Sequence, residues 1–413
     1  MNHKPVFMII TNHVMPVPDV MGGGTEALVT NLIDVNEREK KARFVITSIY
    51  NNEAVKHRYN YSKVYYFDND NNVIENNNII KSKWKHYYNS FRINRRILHN
   101  RYSKHFFGEA KKPIDYLMYQ LIQIAKLENV DYVITFQDED HYRYRELINY
   151  IGSDRVYYYL VFHRKEIIQN RKEIINSICL SKFVQNEWVK DKSLPGKHFV
   201  LYNGTNLDRY KIPFDEYERQ VRRSKLGISE NDYAVVFCGR LIPAKGVEQL
   251  LSAFEKLRDR SIKLILIGSV SYAAKTITEF SERIVEKAKK MENVIFLGYV
   301  PCTEMYNYYG ISDAEVIPSV WQEGAGLIAV EGMFSGLPLI ITESGGMVEY
   351  VTDETAIKLP IDDDLPNNIA SAIIKLSKDK ELCKRMGEAG KKQALLFSAE
   401  AYYNNFLKIF NQE

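Results

Sequence analysis

A chain of 413 residues is long enough for two domains, each closed around its own apolar interior. Its content of 45% hydrophobic and 26% charged residues is ordinary for a globular protein in water. A formal net charge of +4 is too small to imply a nucleic-acid partner, and no stretch approaches the roughly 20 apolar residues of a membrane-spanning helix.

The four cysteines, Cys179, Cys238, Cys302 and Cys383, lie outside metal-ligand spacing of one another and read as scattered thiols of a reducing compartment. The first apolar run is too short for a signal-peptide core, so it reads as a strand instead. The expected location is cytoplasmic, with peripheral contact at the inner face of a membrane left open.

In chain order, "VFMII" (6–10), "RFVITSI" (43–49), "KVYYF" (63–67), "DYVITF" (131–136) and "RVYYYLV" (155–161) read as strands. Their near-continuous apolar character suits parallel strands buried on both faces. Between the first two lies "MGGGTEA" (21–27), directly before a helical run. Gly22, Gly24 and Ala27 fit the G-x-G-x-x-A spacing of a dinucleotide site. That fingerprint should follow its strand at once, with an acid closing the next strand. Here residues 12–21 intervene, and no acid follows the second strand until Glu53, so the NAD reading fails on context.

The segment 69–112 interrupts the alternation. It is rich in Asn and then in Lys, Arg and aromatics, with eight Lys/Arg and no Asp or Glu over 81–107. It reads either as a docking surface for anionic lipid headgroups or a lipid-diphosphate acceptor, or as a solvated insertion. Asp138, Glu139 and Asp140 follow a strand. A D-x-D there could hold a divalent ion, as in metal-dependent GT-A transferases, but no second motif of that class accompanies it.

The polar stretch 203–232 separates the halves, and the β–α alternation then restarts. Strands are expected at 233–239, 262–268, 294–298, 314–319 and 338–342, with helices at 247–258 and 370–377 between them. The fold class is therefore α/β, with two Rossmann-like, doubly wound parallel-sheet domains facing across a cleft. The expected division is 1–205 (with the insertion 69–112), 206–395, and a last helix in 396–413 that packs back on the first domain.

The richest segment is "SVWQEGAGLIAVEGMFSGLPLIITESGGMVEYV" (319–351). Glu323 and Glu331 are eight residues apart. On one helix that spacing puts both carboxylates near one face but roughly 12 Å apart, so they would serve different parts of a ligand. Gly324, Ala325, Gly326 and Leu327 would open the helix and expose backbone N–H groups to an anion.

With these residues in view, the chain resembles the retaining GT-B glycosyltransferases of the family-4 type, the group 1 glycosyl transferases, through their E-x7-E motif. "FCGRLIPAKGVEQLLSAF" (237–254), "VLYNGTNLDRY" (200–210), "NVIFLGYVP" (293–301) and "LVFHRKE" (160–166) are similar to further segments of that family. The resemblance implies that Arg240 and Lys245 hold the donor diphosphate and that Glu331 accepts hydrogen bonds from the ribose. It places Glu323 and His163 near the transferred sugar and Val300 beside the base. Ala325 stands where many members carry an aromatic, and Gly332 where alanine is common; both bear on donor-sugar identity.

The implied activity is metal-independent transfer of a hexose, with no cofactor, from a nucleotide sugar with UDP as the expected nucleotide. The acceptor would be a glycan, a cell-surface polysaccharide or a lipid-linked sugar, with 81–112 as the membrane contact. Charge growing on the departing phosphate would be met by Arg240, Lys245 and helix N–H groups. Gly22, Gly23 and Gly24 would face that phosphate from the first domain. A GT-B nucleotide-sugar epimerase and a catalytically silent scaffold subunit are the alternatives. Oligomeric state is not legible.

Overall fold

The structure is a computed structural model. It describes residues 3–11, 14–21, 23–68, 73–75, 78–79, 116–136, 144–160, 176–189, 196–269 and 278–411. The chain divides into two compact units, one of Met1–Cys179 with Trp188–Phe199 and one of Leu180–Glu187 with Val200–Glu413.

The first unit is built on β1 (Val6–Ile10), β2 (Arg43–Ile49), β3 (Ser62–Phe67), β4 (Val73–Glu75), β5 (Asn78–Ile79), β6 (Tyr132–Phe136), β7 (Val156–Leu160), β8 (Asn176–Cys179) and β9 (His198–Val200). Their spatial order is β5-β4-β3-β2-β1-β6-β7-β8-β9. The pairs from β3 through β8 are parallel, and β3, β4 and β5 form an antiparallel edge. Every residue of β1 and β7 is buried, as the unbroken apolar runs require. The order of strands reverses between β1 and β6. At such a switch point loops diverge and leave room for a ligand, and the glycine loop follows β1 there.

The second unit carries β10 (Tyr233–Cys238), β11 (Ile262–Ile267), β12 (Val294–Gly298), β13 (Ala314–Ile317), β14 (Leu339–Thr342) and β15 (Ala356–Leu359). They lie in the order β12-β11-β10-β13-β14-β15, all parallel. This sheet reverses between β10 and β13. The helix Val247–Lys256 buries Val247, Leu250, Leu251 and Phe254, an i, i+3, i+4, i+7 stripe. That stripe packs with Ile369, Ile373 and Leu376 of the helix Leu365–Lys378. Burying each such side chain stabilises the unit by about 1.5–3 kcal/mol.

Arg223, 1% exposed, ties the helix Glu216–Lys225 to the sheet through an ion pair with Asp313 and a bond to the Ile311 carbonyl. The last helix, Ala399–Phe410, is counted with this second unit. It lies tightly on residue 204, where a Cβ would come within 2.4 Å of Tyr402 Cβ and 2.6 Å of the Ser398 carbonyl oxygen.

Five strands went unread in the sequence: β4 and β5 of the edge hairpin, and β8, β9 and β15. All are two to four residues long, and runs that short carry no periodicity. β8 also begins with the polar Asn176 and Ser177. Both are buried, and both are satisfied by neighbours distant in the chain.

Candidate functional site

The loop after β10 is pinned by backbone on both sides. Gly239 N–H donates to the Ile267 carbonyl at 3.1 Å, and Leu241 N–H to that of Ser269 at 2.9 Å. The chain then makes a single 3-10 turn, Pro243–Lys245, and enters the next helix through Gly246 at φ +66°. A Cβ at Gly246 would fall 1.8 Å from the Pro318 carbonyl oxygen, so only glycine lets this loop sit on the end of β13. The contact is closed by Val320 and Trp321, whose N–H groups donate to the Ala244 carbonyl at 3.0 and 3.3 Å.

This loop-on-loop packing places the charges. Lys245 Nζ donates to Glu323 Oε1 at 2.5 Å, and Ser319 Oγ donates to the same oxygen at 2.7 Å. Arg240 is exposed at the start of the same loop and forms no ion pair among the described residues. Glu323 is held by its backbone as well. Its N–H donates to Ser344 Oγ at 3.1 Å, and its carbonyl accepts Gly346 N–H at 2.7 Å. Ser344 Oγ in turn donates to the Trp321 carbonyl.

Gly345 and Gly346, given no role in the sequence reading, are required here. Gly345 has φ +50°, and a Cβ on it would lie 2.4 Å from the Glu323 carbonyl oxygen. A Cβ on Gly346 would meet the Gly324 carbonyl oxygen at 2.3 Å and Ser181 Oγ at 2.5 Å. The signal was present as a double glycine two residues beyond a strand.

The helix that follows runs Leu327–Phe334, with Gly326 at its N-cap. This corrects the picture of one helix bearing both acids. Glu323 stands in the loop, held by Lys245 and Ser319, and only Glu331 is helical. Gly324, Ala325 and Gly326 form the approach, and Leu327 begins the positive end of the helix.

Glu331 is half-buried. The Tyr309 hydroxyl donates to its Oε2 at 3.2 Å. Burial pushes its carboxyl up to about 7, against hydrogen bonds from Tyr210 and Tyr309 and the charge of Arg209. No local pattern marked Tyr210 or Tyr309, which reach Glu331 only through the fold. Val300, in the loop after β12, packs on the apolar cluster that contains Tyr210 and Tyr309. The second unit thus brings Lys245, Arg240, Glu323, the 324–327 approach and Val300 to loops, and Glu331 to the helix that follows, beyond the carboxyl ends of its strands.

In the first unit, Gly23 is the N-cap of the helix Gly24–Glu39 at φ +111°, and Gly24 is its first residue. Gly22, His163, the Asp138–Asp140 acids (138–140) and the basic segment 81–112 lie outside the described residues. Among the described residues no three His, Cys, Asp or Glu side chains gather as a metal site, and no helix is long and apolar enough to cross a membrane.

Residues 218–393 match the family model of glycosyl transferases group 1. The chain is 30% identical over 179 residues to an uncharacterized glycosyltransferase of Methanocaldococcus jannaschii, covering 43% of this chain and 44% of that protein. It is 30% identical over 214 residues to the lipopolysaccharide 1,2-N-acetylglucosaminetransferase of Salmonella typhimurium, covering 50% of this chain and 53% of that protein. The chain thus spans about half the length of the curated relatives it matches. Anabaena HepE, solved in complex with UDP and glucose, superposes over 100% of both chains with a TM-score of 0.70 at 15% identity. Two parallel-sheet α/β units with neighbours of this kind make the fold that of the GT-B glycosyltransferases, and residues 218–393 carry the match to group 1.

Proposed function

We propose that the chain is a retaining, metal-independent glycosyltransferase that moves a hexose from a nucleotide sugar, with UDP as the nucleotide, to a glycan or lipid-linked acceptor. The observation that carries this reading is the single carboxylate oxygen of Glu323 shared by Lys245 and Ser319, on loops that follow the adjacent strands β10 and β13. It fixes a cation and an anion side by side before any ligand arrives.

An ammonium has three donors, so Lys245 keeps Glu323 and still offers hydrogen bonds to a diphosphate. Arg240 adds a permanent charge on the same loop, and the start of the helix at Leu327 adds N–H groups. These groups stabilise the negative charge that grows on the departing phosphate as the anomeric C–O bond breaks. Glu331, held by Tyr309, accepts from the ribose hydroxyls, and Val300 borders the base. Glu323 lies beside the transferred sugar. The leaving phosphate takes the acceptor hydroxyl's proton, so the step needs no separate base. The complex of Anabaena HepE with UDP and glucose supports a uridine nucleotide. The basic-aromatic segment 81–112 supports an acceptor at an anionic lipid surface.

The test is turnover of a panel of UDP-, GDP- and ADP-hexoses with NMR of the product anomer. Retention of configuration is expected, with an activity that needs no divalent ion. Lys245→Ala should lower the rate by about 10²–10³ through lost stabilisation of the leaving group. A wild type that neither binds nor turns over any of these donors would sink the reading.

A further inference from the structure

Glu315 stands on β13 with its carboxyl fully buried, and among the described residues neither oxygen has a close hydrogen-bond partner. An uncompensated buried carboxylate is strongly disfavoured. Burial, with Glu331 nearby, drives Glu315 well above the usual carboxylate range against the opposing Tyr309 hydroxyl, so the group is neutral. Its place is cut out for it: a Cβ at Gly332 would lie 1.8 Å from Glu315 Oε2 and 2.9 Å from its carboxyl carbon. An apolar residue at 315 with alanine at 332 would fill the same space without burying a polar group. The chain instead keeps an acid, and sets it against the residue that follows Glu331.

The groups facing this pair come from four elements. Tyr309, on the helix Met305–Ile311, donates to Glu331. Tyr210 and Arg209, on the turn Leu207–Tyr210, reach Glu331 by a hydrogen bond and by charge. Cys238 closes β10 near both acids, and Cys302 lies beyond it in the loop after β12.

We propose that Glu315 is a positioning residue for Glu331: the two carboxyls carry one negative charge between them, Glu315 keeps the proton, and Glu331 meets the nucleotide ribose as a carboxylate. Two carboxyls in one low-dielectric pocket do not both ionise. A neutral acid retains an O–H to offer Tyr309, the hydroxyl beside both acids, and so supports the bond that Tyr309 donates to Glu331, which favours ionisation of Glu331. As pH rises the pair releases a single proton to solvent, and the ribose hydroxyls gain a charged acceptor. This role rests on the nucleotide-sugar reading above.

The test is UDP affinity by titration calorimetry from about pH 6 to 8.5, spanning the ionisation of a carboxyl raised by burial. Three proteins are compared: the wild type, Glu315→Gln, and the double variant Glu315→Val with Gly332→Ala, whose added methyl refills the notch. Wild-type affinity should fall as pH drops through the ionisation of Glu331. The glutamine retains an N–H donor and should follow the wild type within about twofold. The double variant should melt at a higher temperature, because a buried polar group is gone. It should nevertheless bind UDP about tenfold more weakly at pH 7, with its acid midpoint raised by about one pH unit. A purely structural Glu315 would leave that midpoint where it was. A double variant with wild-type affinity and midpoint overturns the role, as does a glutamine variant that behaves like the double. Failure of the wild type itself to bind UDP, GDP or ADP would instead remove the nucleotide-sugar reading, and this role with it.

Discussion

Glu26 in the first unit is 3% exposed, and its Oε1 is buried with no hydrogen-bond partner among the described residues. Burial pushes its carboxyl up to about 7, opposed by its own backbone N–H and aided by Asp19. The folded chain therefore holds a proton that the unfolded chain gives up near pH 4.5. Stability falls as pH rises between those values, by at most about 3 kcal/mol. Glu26→Gln should remove that slope. Its gain in melting temperature over the wild type should be largest at pH 8 and shrink toward pH 5, where the folded wild type is protonated and most of the slope lies at higher pH. A gain that is the same at both pH values would count against a titrating Glu26. Neither this nor the state of Glu331 was legible in the sequence. A glutamate letter carries no burial, and both groups sit in helical stretches where an exposed acid would look the same.

At the scale of elements, the glycine loop divides into positions with different tolerances. A Cβ at Gly23 would lie 2.3 Å from Glu26 Oε2, at a φ that side chains rarely adopt. Gly24 is the first helical residue and has nothing within 4 Å of a Cβ. Gly23→Val should therefore disturb the fold as well as the transfer. Gly24→Ala should strengthen the helix by about 0.5–1 kcal/mol and leave the fold intact. If this loop serves the donor phosphate, Gly24→Ala should slow transfer in a protein at least as stable as the wild type, measured by steady-state rates beside thermal melts. Unchanged transfer in both variants would remove the loop from the site. The sequence displayed these glycines and their displacement from β1. It did not display the positive φ at Gly23, which belongs to the path by which the chain enters the helix.

At the scale of the whole molecule, each unit has its own sheet and core, and the candidate donor groups described above lie on the second. A nucleoside diphosphate at about 100 times its dissociation constant should stabilise the folded state it binds by about 2.7 kcal/mol. Hydrogen exchange read by mass spectrometry should show UDP protecting the loops after β10, β12, β13 and β14. Protection confined to the first unit would contradict the placement of the donor.

The sequence by itself determined the α/β class, the restart of the pattern in the second half, and the segments after strands that carry Arg240, Lys245, Glu323 and Glu331. Those features are local: continuous apolar runs, a helical stripe, and glycines beside charged residues after strands. Only the tertiary structure decided that Lys245 and Ser319 share one oxygen of Glu323 and that Glu323 stands outside the helix. The same holds for Tyr309 on Glu331 and for Glu315 in the space that Gly332 leaves. These contacts join residues brought together by strand order and close packing, and the desolvation that sets their charge states exists only once the sheet and helices have closed over them.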